Sequence, residues 1–266
     1  MQPDTLILRD RHAIVTGAGS GIGAAVAREL ARLGASTTLI GRRIEPLHAL
    51  RLELERSAPG RPLARAADVT DPAQIERAIR DASAMQGDPF VLVNNAGAAL
   101  SAPFAETSEA DWRAMLDVNV MGAVFCTRAA LPLMRAQQAG RVINMASTAG
   151  VHGYRYVTAY TAAKHALVGL TKSLAREIEG DGVTVNALCP AYTNTEMLGV
   201  AARRTAERTG RSEDDVRAKY AAANAGGRLI EPQEVARVAA WLCAAEQGDV
   251  NGRAIVIDGV MDPFAK

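Results

Sequence analysis

Cysteine and aromatic residues are scarce in this chain of 266 residues, and neither sign of charge predominates. The three cysteines, Cys126, Cys189 and Cys243, lie far apart without a CxxC pair or a histidine at ligand spacing, so we expect neither disulfides nor a metal site. The balance of 30 basic and 29 acidic residues leaves a net charge of +1. Because nucleic-acid binding depends on a basic surface, no nucleic-acid partner is expected.

Long apolar runs are also missing. The first residues, MQPDTLILRDRH, interrupt their apolar stretch with Arg9, Asp10 and Arg11, which is not the pattern of a signal peptide. No uninterrupted apolar run approaches the length that spans a bilayer. We therefore expect a cytoplasmic protein without a membrane partner.

Short apolar runs alternate with longer amphipathic stretches along the whole chain. This alternation predicts parallel strands that are buried on both faces and joined by helices. Right-handed crossovers then build a single-domain, Rossmann-type α/β fold over 1–266, with a doubly wound sheet of about seven strands and helices on both faces. The predicted strands are 13–16, 37–40, 63–67, 90–93, 142–145, 183–188 and 255–257.

No linker or repeat divides the chain, but 197–227 is polar and rich in alanine and arginine. It lies between the end of the sixth predicted strand and the last predicted helix. We interpret it as an insertion that covers the substrate site. The alternative is a pair of solvated surface helices without a role in function.

A glycine-rich segment, Thr16-Gly17-Ala18-Gly19-Ser20-Gly21-Ile22-Gly23, follows the first strand and opens a helix. Backbone N–H groups without neighbouring Cβ atoms can approach a pyrophosphate closely, and a helix N-terminus favours its negative charge. The segment therefore predicts a dinucleotide site, although glycines alone also form tight turns that bind nothing.

Further motifs follow in a fixed order. They are Asp68 before Val69, Asn94-Asn95-Ala96-Gly97, Asn119, Ser147, Tyr160-x-x-x-Lys164, Cys189-Pro190 and Asp258-Gly259. With the spacing of Thr16, Gly17, Gly21 and Gly23, they cover nearly the whole chain and resemble the short-chain dehydrogenases/reductases, in particular the 3-oxoacyl reductases and secondary alcohol dehydrogenases. The resemblance implies an NAD(P)-dependent oxidoreductase that forms a homotetramer.

The resemblance also implies which residues hold the cofactor. Asp68 would contact the adenine, although from the sequence it is equally a helix cap beside Thr70 and Asp71. The whole implied set is Gly17, Ser20, Gly21, Ile22, Gly23, Arg42, Asp68, Val69, Asn95, Ala96, Gly97, Tyr160, Lys164, Pro190, Thr193 and Thr195.

The end of the second strand bears on the choice of cofactor. It reads Gly41-Arg42-Arg43 and has no carboxylate to bind the ribose hydroxyls of NAD. An arginine can hold the additional phosphate of NADP, so NADP is favoured. NAD stays open, because Ser20 stands where many NADP-using relatives carry a basic residue, and the two arginines also suit the exposed start of a helix.

Tyr160 is the candidate acid/base for a hydride transfer between nicotinamide and a ketone or secondary alcohol. Lys164 lies one helical turn away and supplies a cation that favours phenolate. Ser147 ends the fifth strand, where ligand sites of parallel sheets gather, and can hold the substrate oxygen. Asn119 lies in the middle of a predicted helix. The resemblance implies that its side chain binds a water that links Lys164 to solvent. The alternative is that a neighbouring backbone group satisfies its side chain.

Two positions depart from the family pattern. Ala191 and Val260 stand where the family usually has glycine. Because alanine has less backbone freedom than glycine, Ala191 is expected to change the geometry of the Thr193 and Thr195 contacts. The expected substrate is a mostly apolar ketone or a 3-oxoacyl thioester, with Tyr154, Tyr156 and Tyr192 as walls of its site. The alternative function is a non-catalytic dinucleotide-sensing protein.

Overall fold

Seven parallel strands form one sheet in the computed structural model, which describes residues 6–260. The strands lie in the order β3-β2-β1-β4-β5-β6-β7. All seven predicted strands are present and the predicted doubly wound fold is confirmed. Their bounds are β1 His12–Thr16, β2 Ser36–Gly41, β3 Pro62–Ala66, β4 Pro89–Asn94, β5 Gly140–Met145, β6 Val183–Pro190 and β7 Ala254–Ile257.

Helices cover both faces of the sheet. One apolar layer lies between the sheet and α1, α2 and α9, and a second lies between the sheet and α3, α5 and α6. The bounds are α1 Gly21–Arg32, α2 Ile44–Ser57, α3 Pro72–Gln86, α4 Glu109–Leu116, α5 Gly122–Ala136, α6 Thr158–Glu177, α7 Glu196–Thr209, α8 Glu213–Ala223 and α9 Pro232–Leu242. Because β1, β4 and β5 are covered on both sides, every residue in them is buried, which explains the apolar residues at the centre of each strand.

The helix Glu109–Ala136 comprises α4, the π-helical turn Asp117–Met121 and α5. By length and composition alone it could cross a membrane. In the fold it contacts β4, β5, α3 and α6, and core helices of this kind commonly meet the same criterion. One such helix is weak evidence for a membrane-spanning role.

His12 is buried at the start of β1, at the opposite end of the sheet from the predicted site. Its Nδ1 lies 2.8 Å from the carbonyl oxygen of Gly87, and its Nε2 lies 2.8 Å from Oγ1 of Thr38. A neutral ring that donates from Nδ1 and accepts at Nε2 satisfies both contacts. Burial lowers the pKa of His12, although the Gly87 hydrogen bond and the charge of Asp88 oppose that shift.

The fold should consequently lose stability when His12 is protonated. A histidine with a lowered pKa in the folded state stabilises the fold above its unfolded pKa of about 6.5, and that contribution falls as the pH drops below this value. Between pH about 7.5 and 5.5, the wild type should lose about 1 kcal/mol more unfolding free energy than His12→Gln. Urea denaturation measures the difference. The exposed His48 gives the matched control, His48→Gln, and equal losses in His12→Gln and the wild type would contradict the prediction.

Candidate active site

The predicted site residues meet where the carboxyl ends of the central strands lie together. The chain leaves β1 toward β2 on one side, whereas β4, on the other side of β1, continues to β5. The connections therefore diverge between β1 and β4 and leave a crevice at their carboxyl ends, which is where open α/β sheets bind ligands. The helix α1 begins at this crevice.

The glycine-rich segment is shaped by its backbone. Gly17 and Gly21 have φ values of 64° and 53°, which few other residues adopt. A Cβ on Gly23 would lie 2.3 Å from the carbonyl oxygen of Gly17, so the turn closes only with glycine there. Ser20 is the N-cap of α1 but its side chain makes no capping hydrogen bond, which leaves the first N–H groups of the helix to accept an anion.

Thr16 and Asn95 join the ends of β1 and β4. The Thr16 Oγ1 accepts hydrogen bonds from the N–H groups of Asn95 and Ala96, both at 3.0 Å. The Asn95 side chain donates from Nδ2 to the carbonyl oxygens of Thr16 and Gly17, at 3.0 and 3.2 Å. Asn95 therefore positions the glycine-rich segment, a role that the sequence analysis did not separate from cofactor contact.

A buried polar network behind the crevice escaped the sequence analysis. Asn94 and Asn144 are paired in the register of β4 and β5, and Asn94 Nδ2 donates to Asn144 Oδ1 at 2.9 Å. Asn94 also donates to Thr127 of α5, and Asn144 donates to Thr171 of α6. These bonds fix both helices against the sheet, and one asparagine in each of two buried strands was the available signal.

Asn119 lies at the centre of the π-helical turn and is 2% exposed. Its Nδ2 donates to the carbonyl oxygens of Ala98 and Met115, at 2.9 and 3.0 Å, whereas its Oδ1 is buried without a partner among the described residues. The helix is distorted here into a π-helical turn. The backbone satisfies only the amide nitrogen of Asn119, so its oxygen is left for another donor.

Ser147, Tyr160 and Lys164 come together beyond the end of β5. Ser147 accepts from the N–H of Ala149 at 3.1 Å and keeps its own hydroxyl hydrogen to donate. The Lys164 Nζ donates to the carbonyl oxygen of Met145 at 2.8 Å and lies 5.6 Å from the centre of the Tyr160 ring. The spacing of four residues on α6 thus places both side chains at the strand end, as predicted.

Burial controls the protonation of this group. It raises the pKa of Tyr160, and the hydrogen bond with Ser147 opposes that shift. Burial also lowers the pKa of Lys164 to about 8, against a smaller opposing effect of Cys189. At neutral pH the phenol is therefore protonated and most of the lysine is charged. From the sequence, the Lys164 cation is expected to favour phenolate, but in the protein alone desolvation has the larger effect on the pKa of Tyr160.

Three residues predicted to hold the adenosine end of a dinucleotide flank the other side of the crevice. Arg42, directly after β2, is exposed and makes no side-chain hydrogen bond or ion pair with any described residue. Asp68 accepts from both the N–H and the hydroxyl of Thr70, at 2.9 and 2.8 Å, while the N-cap of α3 is Asp71. Val69 is buried against Gly122. Asp68 thus closes a turn and is not the helix cap.

The segment after β6 closes the crevice from the far side. Thr193 is buried and donates to the carbonyl oxygen of Ala191, and Thr195 caps α7. A Cβ on Gly21 would lie 3.2 Å from Cγ2 of Thr195, so this segment reaches the glycine-rich turn. Ala191, directly after Pro190, has a negative φ, which is why alanine is accommodated where the family usually has glycine.

Aromatic rings gather beside Tyr160. The rings of Tyr192 and Tyr220 stack with centres 4.6 Å apart, and Tyr154 meets Tyr192 edge-on at 6.3 Å. Tyr220 lies on α8, so the predicted 197–227 insertion, which forms α7 and α8, contributes to this wall. Tyr156 has a φ of 67° and is 57% exposed, and its ring contacts none of the other described aromatic rings.

The fold and these side chains define an enzyme of the doubly wound α/β class, with a Ser–Tyr–Lys group at the strand ends beside an open helix N-terminus. The family model "short chain dehydrogenase" matches residues 11–206. The chain belongs to the short-chain dehydrogenase/reductase family.

Several known proteins are similar to the chain over most of its length. Meso-2,3-butanediol dehydrogenase of Serratia marcescens is 35% identical over 92% of both chains. A variant of actinorhodin polyketide ketoreductase, solved with NADPH, is 31% identical with a TM-score of 0.90, covering 96% of this chain and 98% of its own. L-Sorbose reductase of Gluconobacter frateurii, solved with NADPH and L-sorbose, is 28% identical with a TM-score of 0.90 and full coverage of both.

Proposed function

We propose that the protein is an NADP-dependent oxidoreductase that interconverts a ketone and a secondary alcohol, with Tyr160 as the acid/base. The observation that carries this proposal is the meeting of Ser147, Tyr160 and Lys164 at the strand ends, beside the uncapped start of α1. The substrates named in the three similar proteins, a diol, a polyketide ketone and a keto sugar, support the same pair of functional groups.

The residues of the crevice suit NADP in charge and in hydrogen-bonding groups. The N–H groups that begin α1, from Ser20 to Gly23, would bind the pyrophosphate, and the free guanidinium of Arg42 would bind the ribose phosphate. Asp68 and Val69 would meet the adenine, and Asn95, Ala96, Gly97, Pro190, Thr193 and Thr195 would line the nicotinamide half. When bound, the reduced nicotinamide supplies the hydride. The NADPH complexes of two similar structures support this choice, and NAD is the alternative cofactor.

The side chains around the strand ends supply the proton. The raised pKa of Tyr160 keeps the phenol protonated at neutral pH, so it can donate to the alkoxide that forms on the substrate. Ser147 would donate a second hydrogen bond to the same oxygen. Lys164, charged near neutral pH and held by Met145, would stabilise the phenolate that remains.

Asn119 would complete a path for the replacement proton. A Cβ on Gly97 would lie 2.7 Å from the Asn119 Oδ1 and 3.6 Å from the Lys164 Nζ, so both atoms border the same glycine. A water held by the unpartnered Asn119 oxygen would connect to Lys164 and then to Tyr160. Asn119 is therefore proposed to act through Lys164.

The substrate would enter beneath α7 and α8. Arg208 of α7 donates to the carbonyl oxygen of Ser101 at 3.4 Å, which connects the 197–227 insertion to the opposite side of the crevice. The rings of Tyr154, Tyr192 and Tyr220 form an aromatic surface that favours a mostly apolar ketone or a 3-oxoacyl thioester as the substrate. We propose that this insertion covers the bound substrate.

We further propose that the enzyme is a homotetramer in the cytoplasm. Leu116 and Met121 on the helix Glu109–Ala136 remain 38% and 37% exposed, and a second subunit would cover such side chains. Sedimentation velocity distinguishes a tetramer from a monomer, and a monomer at micromolar concentration would contradict this assembly.

Tyr160→Phe should abolish the proton donor while preserving the shape of the site. We expect kcat/KM for ketone reduction to fall by about a hundredfold or more, because general acid catalysis contributes on this scale. NADPH oxidation followed by absorbance gives the rate, and NADPH fluorescence measures cofactor binding separately, so that a loss of rate at saturating NADPH is assigned to the proton donor. An active Tyr160→Phe variant would overturn the assignment. Tight NADPH binding without turnover of any ketone or alcohol would favour the dinucleotide-sensing alternative.

Arg42→Ala should weaken the preference for NADPH. A charge-assisted hydrogen bond to phosphate contributes about 1.5–3 kcal/mol, so the KM for NADPH should rise at least about tenfold. NADH lacks this phosphate, so its KM is the internal control and should stay within about twofold of the wild type. Equal changes for both cofactors would show that Arg42 does not recognise the phosphate.

A further inference from the structure

The hydroxyl of Tyr192 makes no hydrogen bond to any described residue, although its ring is packed against two others. Tyr220 stacks on one face of the ring and Tyr154 meets it edge-on. The backbone of Tyr192 is fixed as well, because its N–H and its carbonyl oxygen both bond to the side chain of Asn224. No described residue donates to or accepts from the Tyr192 hydroxyl. A rigid ring with a free hydroxyl is a preorganised hydrogen-bonding group.

The neighbouring phenols are already occupied. The Tyr154 hydroxyl donates to the Thr148 Oγ1 at 3.0 Å, and the Tyr220 hydroxyl pairs with the Thr205 Oγ1 at 3.2 Å. The Tyr192 hydroxyl is therefore the one member of this aromatic cluster, within the described chain, that is free to bind something else.

The ring of Tyr192 lies near the reaction centre. The Tyr192 ring meets the Tyr154 ring edge-on, and the Tyr154 hydroxyl donates to Thr148, the residue after Ser147. Burial raises the pKa of Tyr192, and the nearby phenols of Tyr220, Tyr154 and Tyr160 raise it further. The group is consequently a neutral donor at neutral pH, close to the Tyr160 phenol.

The reacting oxygen does not need this donor. A carbonyl oxygen accepts two hydrogen bonds through its two lone pairs, and Ser147 and Tyr160 would occupy both. A substrate with no other oxygen would cover the Tyr192 hydroxyl without satisfying it, which is costly for a buried donor. A second oxygen on the substrate would remove that cost.

We propose that Tyr192 is a specificity-determining residue whose hydroxyl donates to a second substrate oxygen, so that the preferred substrate carries a hydroxyl or carbonyl group close to the reacting ketone. This inference rests on the proposed ketone reduction. It narrows the substrate class to hydroxyketones and dicarbonyl compounds with an otherwise apolar body.

The test compares two matched pairs of substrates in the wild type and in the variant Tyr192→Phe. Acetoin has one hydroxyl group more than butanone. The cyclohexane ring with two adjacent carbonyl groups has one carbonyl oxygen more than cyclohexanone. The variant Tyr192→Phe keeps the stacked ring and removes only the hydroxyl. We expect it to reduce the preference for the oxygenated member of each pair by about tenfold or more, because sites that hydrogen-bond a substrate group discriminate strongly against its absence.

The loss should fall mainly on KM, because a bond to an oxygen that does not react is equally strong before and during hydride transfer. Ser57→Ala is the control: it removes an exposed hydroxyl at the last residue of α2, away from the strand ends, and it should leave the preference unchanged. If the wild type reduces these ketones and Tyr192→Phe shows the same preference for the oxygenated members, the inference is overturned while the proposed function stands. Failure of the wild type to reduce any ketone would overturn the proposed function together with the inference.

Discussion

The hydrogen bonds between Thr16 and Asn95 hold the ends of β1 and β4 together, and the site depends on the crevice at this point. The chain turns in opposite directions from these two strands, so no helix fills the space beyond them. A further bond, from the Asn95 side chain to the carbonyl oxygen of Gly17, fixes the turn that leads to the start of α1. A phosphate-binding helix terminus and the catalytic strand ends are thereby kept in one rigid frame.

Desolvation is the second constraint on the site. Lys164 is 5% exposed and is held by a backbone carbonyl without a carboxylate partner in the described part of the chain, so burial brings its pKa to about 8. The same environment keeps Tyr160 protonated. A lysine that stays largely charged and a tyrosine that stays neutral suit a site that delivers a proton at neutral pH.

Much of this arrangement could be predicted from the sequence because its signals are local. Apolar runs located all seven strands, and the spacing of Tyr160 and Lys164 placed both side chains on one helix face. Contacts between distant segments left weaker signals. The pairing of Asn94 with Asn144 needs the strand register, and the stacking of Tyr220 on Tyr192 needs the fold of the α7–α8 insertion. The free Tyr192 hydroxyl is identified only when the partners of its neighbours are known.

The central claim is that this crevice transfers a hydride from NADPH to a ketone while Tyr160 supplies the proton. The most direct test uses NADPH deuterated at the transferred position, followed by mass spectrometry of the alcohol formed from acetoin or a simple ketone. The account predicts one deuterium on the carbinol carbon and none elsewhere. An alcohol without deuterium, or the absence of any alcohol despite bound NADPH, would contradict it.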